Sequence, residues 1–173
     1  RDRWNRRTVL ALAVKLEDGG DVFYAHERVG LRGVAFLALK FRSMIPDAET
    51  GAGALQALHG DPRVTRVGRL LRATAMDELP QLWNIFKGDM SFVGPRALRP
   101  DEIEANGLGA LEPLQAVPGF ATRCLVRPGL TGVAQIYASR SLPRRDKFRY
   151  DRVYIRRQSF WLDIRLILYS FWI

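Results

Sequence analysis

The sequence predicts an α/β (α+β) fold, a small β-hairpin or sheet with amphipathic helices around it. Three observations carry the prediction. Two β-prone runs, Val22-Phe23-Tyr24 and Val34 to Phe41, stand near the start; helical periodicity takes over from about residue 62; and a basic stretch with interleaved aromatics leads into an apolar tail. At 173 residues, with 47% apolar and 26% charged side chains, the chain has the length and composition of a single folded domain.

Taken in order, Thr8 to Val14 (TVLALAV) is a helix or strand fragment without the small-residue cleavage site of a signal peptide. No run reaches the ~20 apolar residues that a membrane-crossing helix needs. The two β-prone runs, joined by a segment carrying Gly30 and Gly33, read as a hairpin whose second strand is closed by Lys40 and Arg42. Residues 45–60, rich in Gly and Ala with little periodicity, read as a loop or short helix.

Asp61-Pro62 predicts a helix start, with Asp as N-cap and Pro at the first helical position, running to about Ala73. Val64, Val67, Leu70 and Leu71 then share one side, with Arg66, Arg69 and Arg72 spread over the other and Arg63 at its edge. Such a helix either exposes a solvated arginine face or touches anionic headgroups or phosphates. A second helix is expected from Asp77 to Phe86, with Leu79, Leu82, Trp83 and Phe86 as a core-facing stripe. Asp77 is placed as its cap because a start at Thr74 would put Pro80 in the helix interior, at a cost of ~3 kcal/mol.

Gly88-Asp89 reads as a turn, Ser91-Phe92-Val93 as a short buried strand and Gly94-Pro95-Arg96 as a sharp loop that aims Arg96. Residues 101–112 are expected to form an acidic helix that ends by Pro118-Gly119, and Arg127 to Gly132 another glycine-dependent loop. Arg144 to Arg157 is strongly basic with interleaved aromatics. The tail from Phe160 to Ile173, broken only by Asp163, Arg165 and Ser170, is either buried or seated in a membrane interface.

Charge and cysteine content narrow the function. With 27 basic against 18 acidic residues the net charge is +9, which calls for an anionic partner: nucleic acid, a lipid headgroup surface or a phosphorylated substrate. The lone Cys124 excludes an internal disulfide and reads as a small filler. His26 and His59 are too isolated for a zinc site, so any metal requires oxygen ligands, and His26 reads as a strand or surface residue. Trp83 and Phe86 are expected in the core; Trp161, Phe171 and Trp172 are expected either in the core or at an interface.

By spacing alone the adjacent carboxylates Asp77 and Glu78 are explained first by capping and the helix dipole. Their company favours chemistry, because Lys40, Arg42, Arg96 and Arg127 are cations on rigid backbone that suit a phosphate clamp. A nucleic-acid-binding module would account for the charge but leaves the carboxylate pair and the Gly-Pro-Arg loop unexplained, and no RRM, KH, helix-turn-helix or zinc-finger pattern is present.

Six blocks carry a resemblance: Glu27-Arg28-Val29-Gly30, Lys40-Phe41-Arg42-Ser43-Met44, Asp61 to Gly68 (DPRVTRVG), Asp77 to Asn84 (DELPQLWN), Lys87 to Arg96 (KGDMSFVGPR) and Arg127 to Gln135 (RPGLTGVAQ). In that order they resemble the bacterial sugar transferase family, the monotopic phosphoglycosyl transferases, from about residue 10 to the C-terminus. The resemblance implies transfer of a sugar 1-phosphate from a UDP-sugar to polyprenyl (undecaprenyl) phosphate with release of UMP, the first membrane step of bacterial glycan or exopolysaccharide assembly. It makes Asp77 the nucleophile that holds the phosphosugar, Glu78 the Mg²⁺ ligand, and Lys40 and Arg96 the cations around the phosphates. Asp151 matches a recurrent acidic position, and Gln135 and Arg140 are further candidates. It also implies a membrane surface with anionic lipid as partner, no nucleic acid, and a place on the cytoplasmic face of the bacterial inner membrane.

The family usually carries a long hydrophobic helix before the first strand, which here is expected to be absent or reduced to its last turns, Thr8 to Lys15. The family also follows the PGxTGxAQ block with Asn-Gly-Arg, where this chain has Ile136-Tyr137-Ala138-Ser139-Arg140. A catalytically silent membrane scaffold is the competing reading within the resemblance; the joint presence of Asp77, Glu78, Lys40 and Arg96 argues against it.

Overall fold

The computed structural model describes residues 3–46, 48, 60–105, 111–139 and 141–172. Contacts divide the chain into two compact units, Arg1–Ala25 with Leu39–Leu82 and His26–Ala38 with Trp83–Ile173. The expected hairpin is present as β1 (Phe23–Val29) and β2 (Ala35–Phe41), which pair in a two-stranded sheet and contribute residues to both units. Among the described residues no helix is long and apolar enough to cross a membrane.

In the first unit, α1 (Arg3–Asp18) absorbs the Thr8–Val14 run, and its Val14 is buried with Phe41 and Leu71 against Leu10, Ala11, Val22 and Val67. Beyond β2 the chain pairs with the segment before the next helix. Met44 bridges Val64, Ile45 N donates to Arg63 O and Thr65 N to Ser43 O. Pro62 and Arg63 form a turn closed by Val64 N on Asp61 O at 3.1 Å, and Val64 is then held in the bridge to Met44, so the helix does not begin at Pro62 as its sequence suggests. It is α2 (Arg66–Ala73), capped by Thr65, whose hydroxyl accepts from Gly68 N at 2.9 Å. Asp61 folds back instead on Arg63, accepting from its backbone N at 2.9 Å and its Nη2 at 2.7 Å. The carboxylate of Glu17 serves the two donors that follow, Arg66 N at 2.6 Å and Val67 N at 3.1 Å. Gly68 fixes the helix on its neighbour, because a β-carbon there would meet the Ser43 carbonyl oxygen at 2.1 Å.

The turn after α2 departs from the expected helix start. Ala75 adopts left-handed backbone (φ +54°) and Met76–Glu78 form a single 3-10 turn, so Asp77 lies within that turn rather than capping a helix. The helix proper, α3 (Gln81–Lys87), starts after Pro80. Its expected core stripe faces outward: Trp83 and Phe86 are 55% and 81% exposed, whereas Gln81 and Asn84 are buried. The cause is Asn84, whose side-chain amide donates to Leu37 O at 2.7 Å and Asp89 Oδ2 at 3.1 Å while its backbone carbonyl accepts from Asp89 N. A polar anchor thus sets the helix rotation, and Trp83 and Phe86 stack on each other outside, 5.3 Å apart.

In the second unit β3 (Ser91–Val93) runs parallel to β6 (Gly129–Thr131), so the Arg127–Gly132 stretch is in part a strand and not only a loop. The backbones touch: a β-carbon on Gly129 would lie 2.1 Å from Gly94 N. The described residues of the 101–112 stretch are strands and turn, not the expected acidic helix. β4 (Ile103–Ala105) pairs antiparallel with β5 (Leu111–Pro113), Glu104 opposite Glu112, and the Asn106-Gly107 pair in the intervening sequence is a hairpin signal that the helix reading passed over. Short helices α4 (Phe120–Arg123) and α5 (Val133–Tyr137) precede α6 (Arg144–Arg157) and α7 (Phe160–Ser170).

Two apolar clusters hold this unit. Val29, Leu98, Leu114, Val117, Phe120, Cys124 and Phe148 form one, with Cys124 as the filler expected of it. Val93, Tyr154 and Leu166 centre the other. The basic stretch is amphipathic after all, since α6 buries Phe148, Asp151 and Tyr154 at three-residue spacing and turns Arg149, Arg152, Arg156 and Arg157 outward. The tail resolves the same way: α7 buries Leu166 and leaves Trp161 77% exposed, and Trp172 beyond the helix is 90% exposed. Most of the 45–60 segment, and Arg140, lie outside the described residues.

Candidate active site

The carboxylate pair sits where three pieces of the first unit converge. Thr74 at the end of α2 turns its hydroxyl back onto Leu70 O at 2.8 Å, Ala75 reverses the chain, and the 3-10 turn then presents Asp77 inward, buried, with Glu78 beside it and more open. From β2 comes Lys40. Its ammonium lies 2.6 Å from Glu78 Oε1 and 3.6 Å from Asp77 Oδ2, so one cation serves both carboxylates. Because Lys40 is one residue from the end of a strand whose next side chain, Phe41, is locked in the α1–α2 core, the ammonium is mounted on rigid backbone.

Two opposing effects act on Asp77. Burial, the larger, raises its carboxyl above the ordinary aspartate range, and the neighbouring charge of Glu78 adds to that; Lys40 and then Arg72 pull it back down. Arg72, which the sequence places on the solvated face of α2, is therefore part of this site, its Nε held by Ser43 Oγ at 2.8 Å. The signal that could have found it is position: it sits at the C-terminal end of α2, five residues before Asp77, with only the tight turn between. Arg42 goes elsewhere. Its Nη2 bonds Asp18 and reaches Val14 O at 3.4 Å, tying the strand end to α1.

The other predicted residues belong to the second unit. Arg96 is exposed, and among the described residues its guanidinium has no carboxylate partner. Other cations surround it. Burial, and next the charge of Arg96, draws Arg28 down to about 10 against the opposing pull of Glu102; burial followed by Arg144 and Arg96 lowers Lys147 as well. Arg28 and Arg144 share Glu102, at 3.5 and 3.0 Å. Arg127 is exposed. Gln135 buries both amide atoms without a hydrogen-bond partner among the described residues. Asp151 is 3% exposed and pairs with Arg123, Nε to Oδ2 at 3.0 Å. Neither Arg28 nor Arg123 is a site candidate from the sequence: Arg28 stands in the Glu27 to Gly30 block without an assigned role, and Arg123 resembles the chain's many other arginines.

Comparison with known proteins places these residues in a family. The family described as bacterial sugar transferase matches residues 6–173. The undecaprenyl-phosphate glucose phosphotransferase of Komagataeibacter xylinus is 43% identical over 165 residues, covering 92% of this chain and 30% of its own length. A UDP-glucose:undecaprenyl-phosphate glucose-1-phosphate transferase of Caulobacter vibrioides is 42% identical over 167 residues, covering 92% of this chain and 59% of its own length. The exopolysaccharide production protein ExoY of Rhizobium meliloti is 38% identical over 173 residues, with 92% and 72% covered. The chain thus spans 30% and 59% of the length of the first two.

The electrostatics of Asp77 yield a stability prediction. A carboxyl raised by folding disfavours the ionised form, so its stabilising contribution is full below the unfolded aspartate value, near 3.9, and is lost as pH rises through the folded one. Asp77→Asn is expected to raise the urea midpoint at pH 7, with the advantage fading below pH 4. Equal midpoints at both pH values would show that the carboxyl is not raised.

Proposed function

The chain belongs to the bacterial sugar transferase family, and from that premise we propose that it transfers a sugar 1-phosphate from a UDP-sugar to undecaprenyl phosphate, releasing UMP. The observation that carries the proposal is the buried Asp77 carboxylate held beside Glu78 under a single ammonium. In the first half-reaction an Asp77 oxygen attacks the β-phosphorus of the donor. The bond from that phosphorus to the bridging oxygen breaks, UMP leaves, and the phosphosugar remains on Asp77 as an acyl phosphate. In the second, the terminal oxygen of polyprenyl phosphate attacks the same phosphorus and the carboxylate is regenerated. Splitting the transfer lets one site handle a soluble and a lipid substrate in turn.

A carboxylate meeting a pyrophosphate faces like-charge repulsion, which fixed cations reduce. Lys40 and Arg72 supply positive charge at Asp77, and Arg96 and Arg127 are the residues we assign to the donor's phosphates. Glu78 is the residue we assign to Mg²⁺. Its carboxylate is partly open and offers oxygen alone, which suits an ion that takes few protein ligands and keeps several waters, and no group of three or more potential ligands exists among the described residues. When bound, Mg²⁺ supplies charge neutralisation to the phosphate oxygens.

The lipid substrate sets the location we propose, the cytoplasmic face of the inner membrane. α7 exposes Phe160, Trp161 and Leu168, Trp172 just beyond it is exposed too, and α6 ends in Arg156 and Arg157. Eleven residues of helix rise roughly 16 Å, too short to span, so α7 lies in the interface with the arginines toward anionic headgroups. Glucose is the sugar to test first, because two relatives are named for it.

Release of UMP from UDP-glucose and other UDP-sugars, with undecaprenyl phosphate and Mg²⁺ in detergent, tests the reading. Asp77→Asn is expected to lose ~10³-fold or more in rate. Lys40→Met is expected to lose roughly 10²-fold and to move the acidic limb of the pH profile upward, since the charge holding Asp77 down is gone. An Asp77→Asn chain at full rate would reject the nucleophile. Lipid binding without turnover by the wild-type chain would favour the silent scaffold.

A further inference from the structure

We infer that Asp151 is a positioning residue: through Arg123 it holds the backbone of the Gly94–Ala97 loop and thereby fixes where Arg96 presents its guanidinium. The inference rests on the proposed role of Arg96 at the donor's phosphates. Asp151 itself cannot meet a substrate, being 3% exposed in the middle of α6 with one carboxylate oxygen on Arg123 Nε at 3.0 Å. Arg123 is as deeply buried and lies over the Phe148 ring, 4.8 Å from its centroid. Its remaining arm does the positioning, as Nη2 donates to the backbone carbonyl of Arg96 at 2.5 Å.

That bond is one of a series. Four successive carbonyls of the loop are pinned by four different donors: Pro95 O by Gly129 N at 2.9 Å, Arg96 O by Arg123 Nη2, Ala97 O by Arg28 Nη1 at 3.1 Å, and Leu98 O by Val29 N at 2.9 Å. Two of the donors are guanidinium groups from elements distant in sequence. With these carbonyls held, Arg96 has its side chain free, and that side chain has no carboxylate partner among the described residues. Without the carboxylate, Arg123 would keep a buried charge with no counter-ion and its guanidinium would turn toward water, releasing Arg96 O.

Two variants separate positioning from mere stability. Asp151→Asn leaves Arg123 unpaired. Arg123→Met with Asp151→Leu removes the pair whole, an exchange that buried ion pairs commonly tolerate without unfolding. Two readouts follow each: hydrogen exchange of residues 94–98, and kcat and KM for the UDP-sugar, each also in an Arg96→Ala background. The expected result is exchange on the order of 10-fold faster in that loop alone, a donor KM raised on the order of 10-fold with kcat less affected, and no further loss once Arg96 is alanine. Unchanged loop exchange in both variants overturns the inference, as does a loss that multiplies with that of Arg96→Ala. A chain without transferase activity would reject the functional reading instead, and loop exchange would still decide whether Asp151 holds the loop through Arg123.

Discussion

Burying a carboxylate is the constraint around which the first unit is arranged. Asp77 loses hydration in its turn, and the loss is tolerable only because Lys40 and Arg72 bring positive charge to it. Each cation is in turn held by structure: Lys40 by the strand that carries Phe41 into the core, Arg72 by Ser43 on the segment that Gly68 lets α2 approach. The left-handed Ala75 makes the turn tight enough to bury Asp77 and leave Glu78 more open. Two adjacent carboxylates thus acquire different environments, the condition under which neighbouring acids take separate roles.

The second unit solves a different problem, keeping backbone still near an exposed cation. Glycine does part of this. At Gly94 and Gly129 the main chains of β3 and β6 approach more closely than any side chain would allow, so the loops that follow start from a fixed point. Buried guanidinium groups do the rest, taking carbonyls that no strand partner reaches. Placing catalytic and binding side chains on loops that are themselves rigidly bonded is the general way a flexible segment attains precise geometry.

How much was legible depended on whether a residue's setting is local. The hairpin, β3 and the glycine loops were readable because turn chemistry is written in adjacent residues, and Asp77, Glu78, Lys40 and Arg96 stood out through motif blocks of fixed spacing. What failed was set by distant partners. Asp61-Pro62 has every local mark of a helix start, yet Pro62 and Arg63 form a turn and pairing with residues 43–45 bridges Val64 before the helix can begin. The Leu79, Leu82, Trp83, Phe86 stripe has core periodicity, yet Asn84 decides which way the helix faces, and periodicity gives spacing without direction. Arg72, Arg28 and Arg123 were invisible for the same reason, since an arginine's role lies in what it reaches. Arg42, picked as a phosphate cation, is bonded to Asp18 and Val14 O at α1.

The account turns on Asp77 carrying the phosphosugar, and the most direct test is the intact mass of the protein after incubation with UDP-glucose and Mg²⁺ in the absence of polyprenyl phosphate. The account predicts a single phosphohexose adduct on the peptide containing Asp77, discharged when polyprenyl phosphate is added and absent from Asp77→Asn. Turnover that proceeds with no adduct at any time, and with UMP released only once polyprenyl phosphate is present, would mean direct transfer between the substrates and would contradict it.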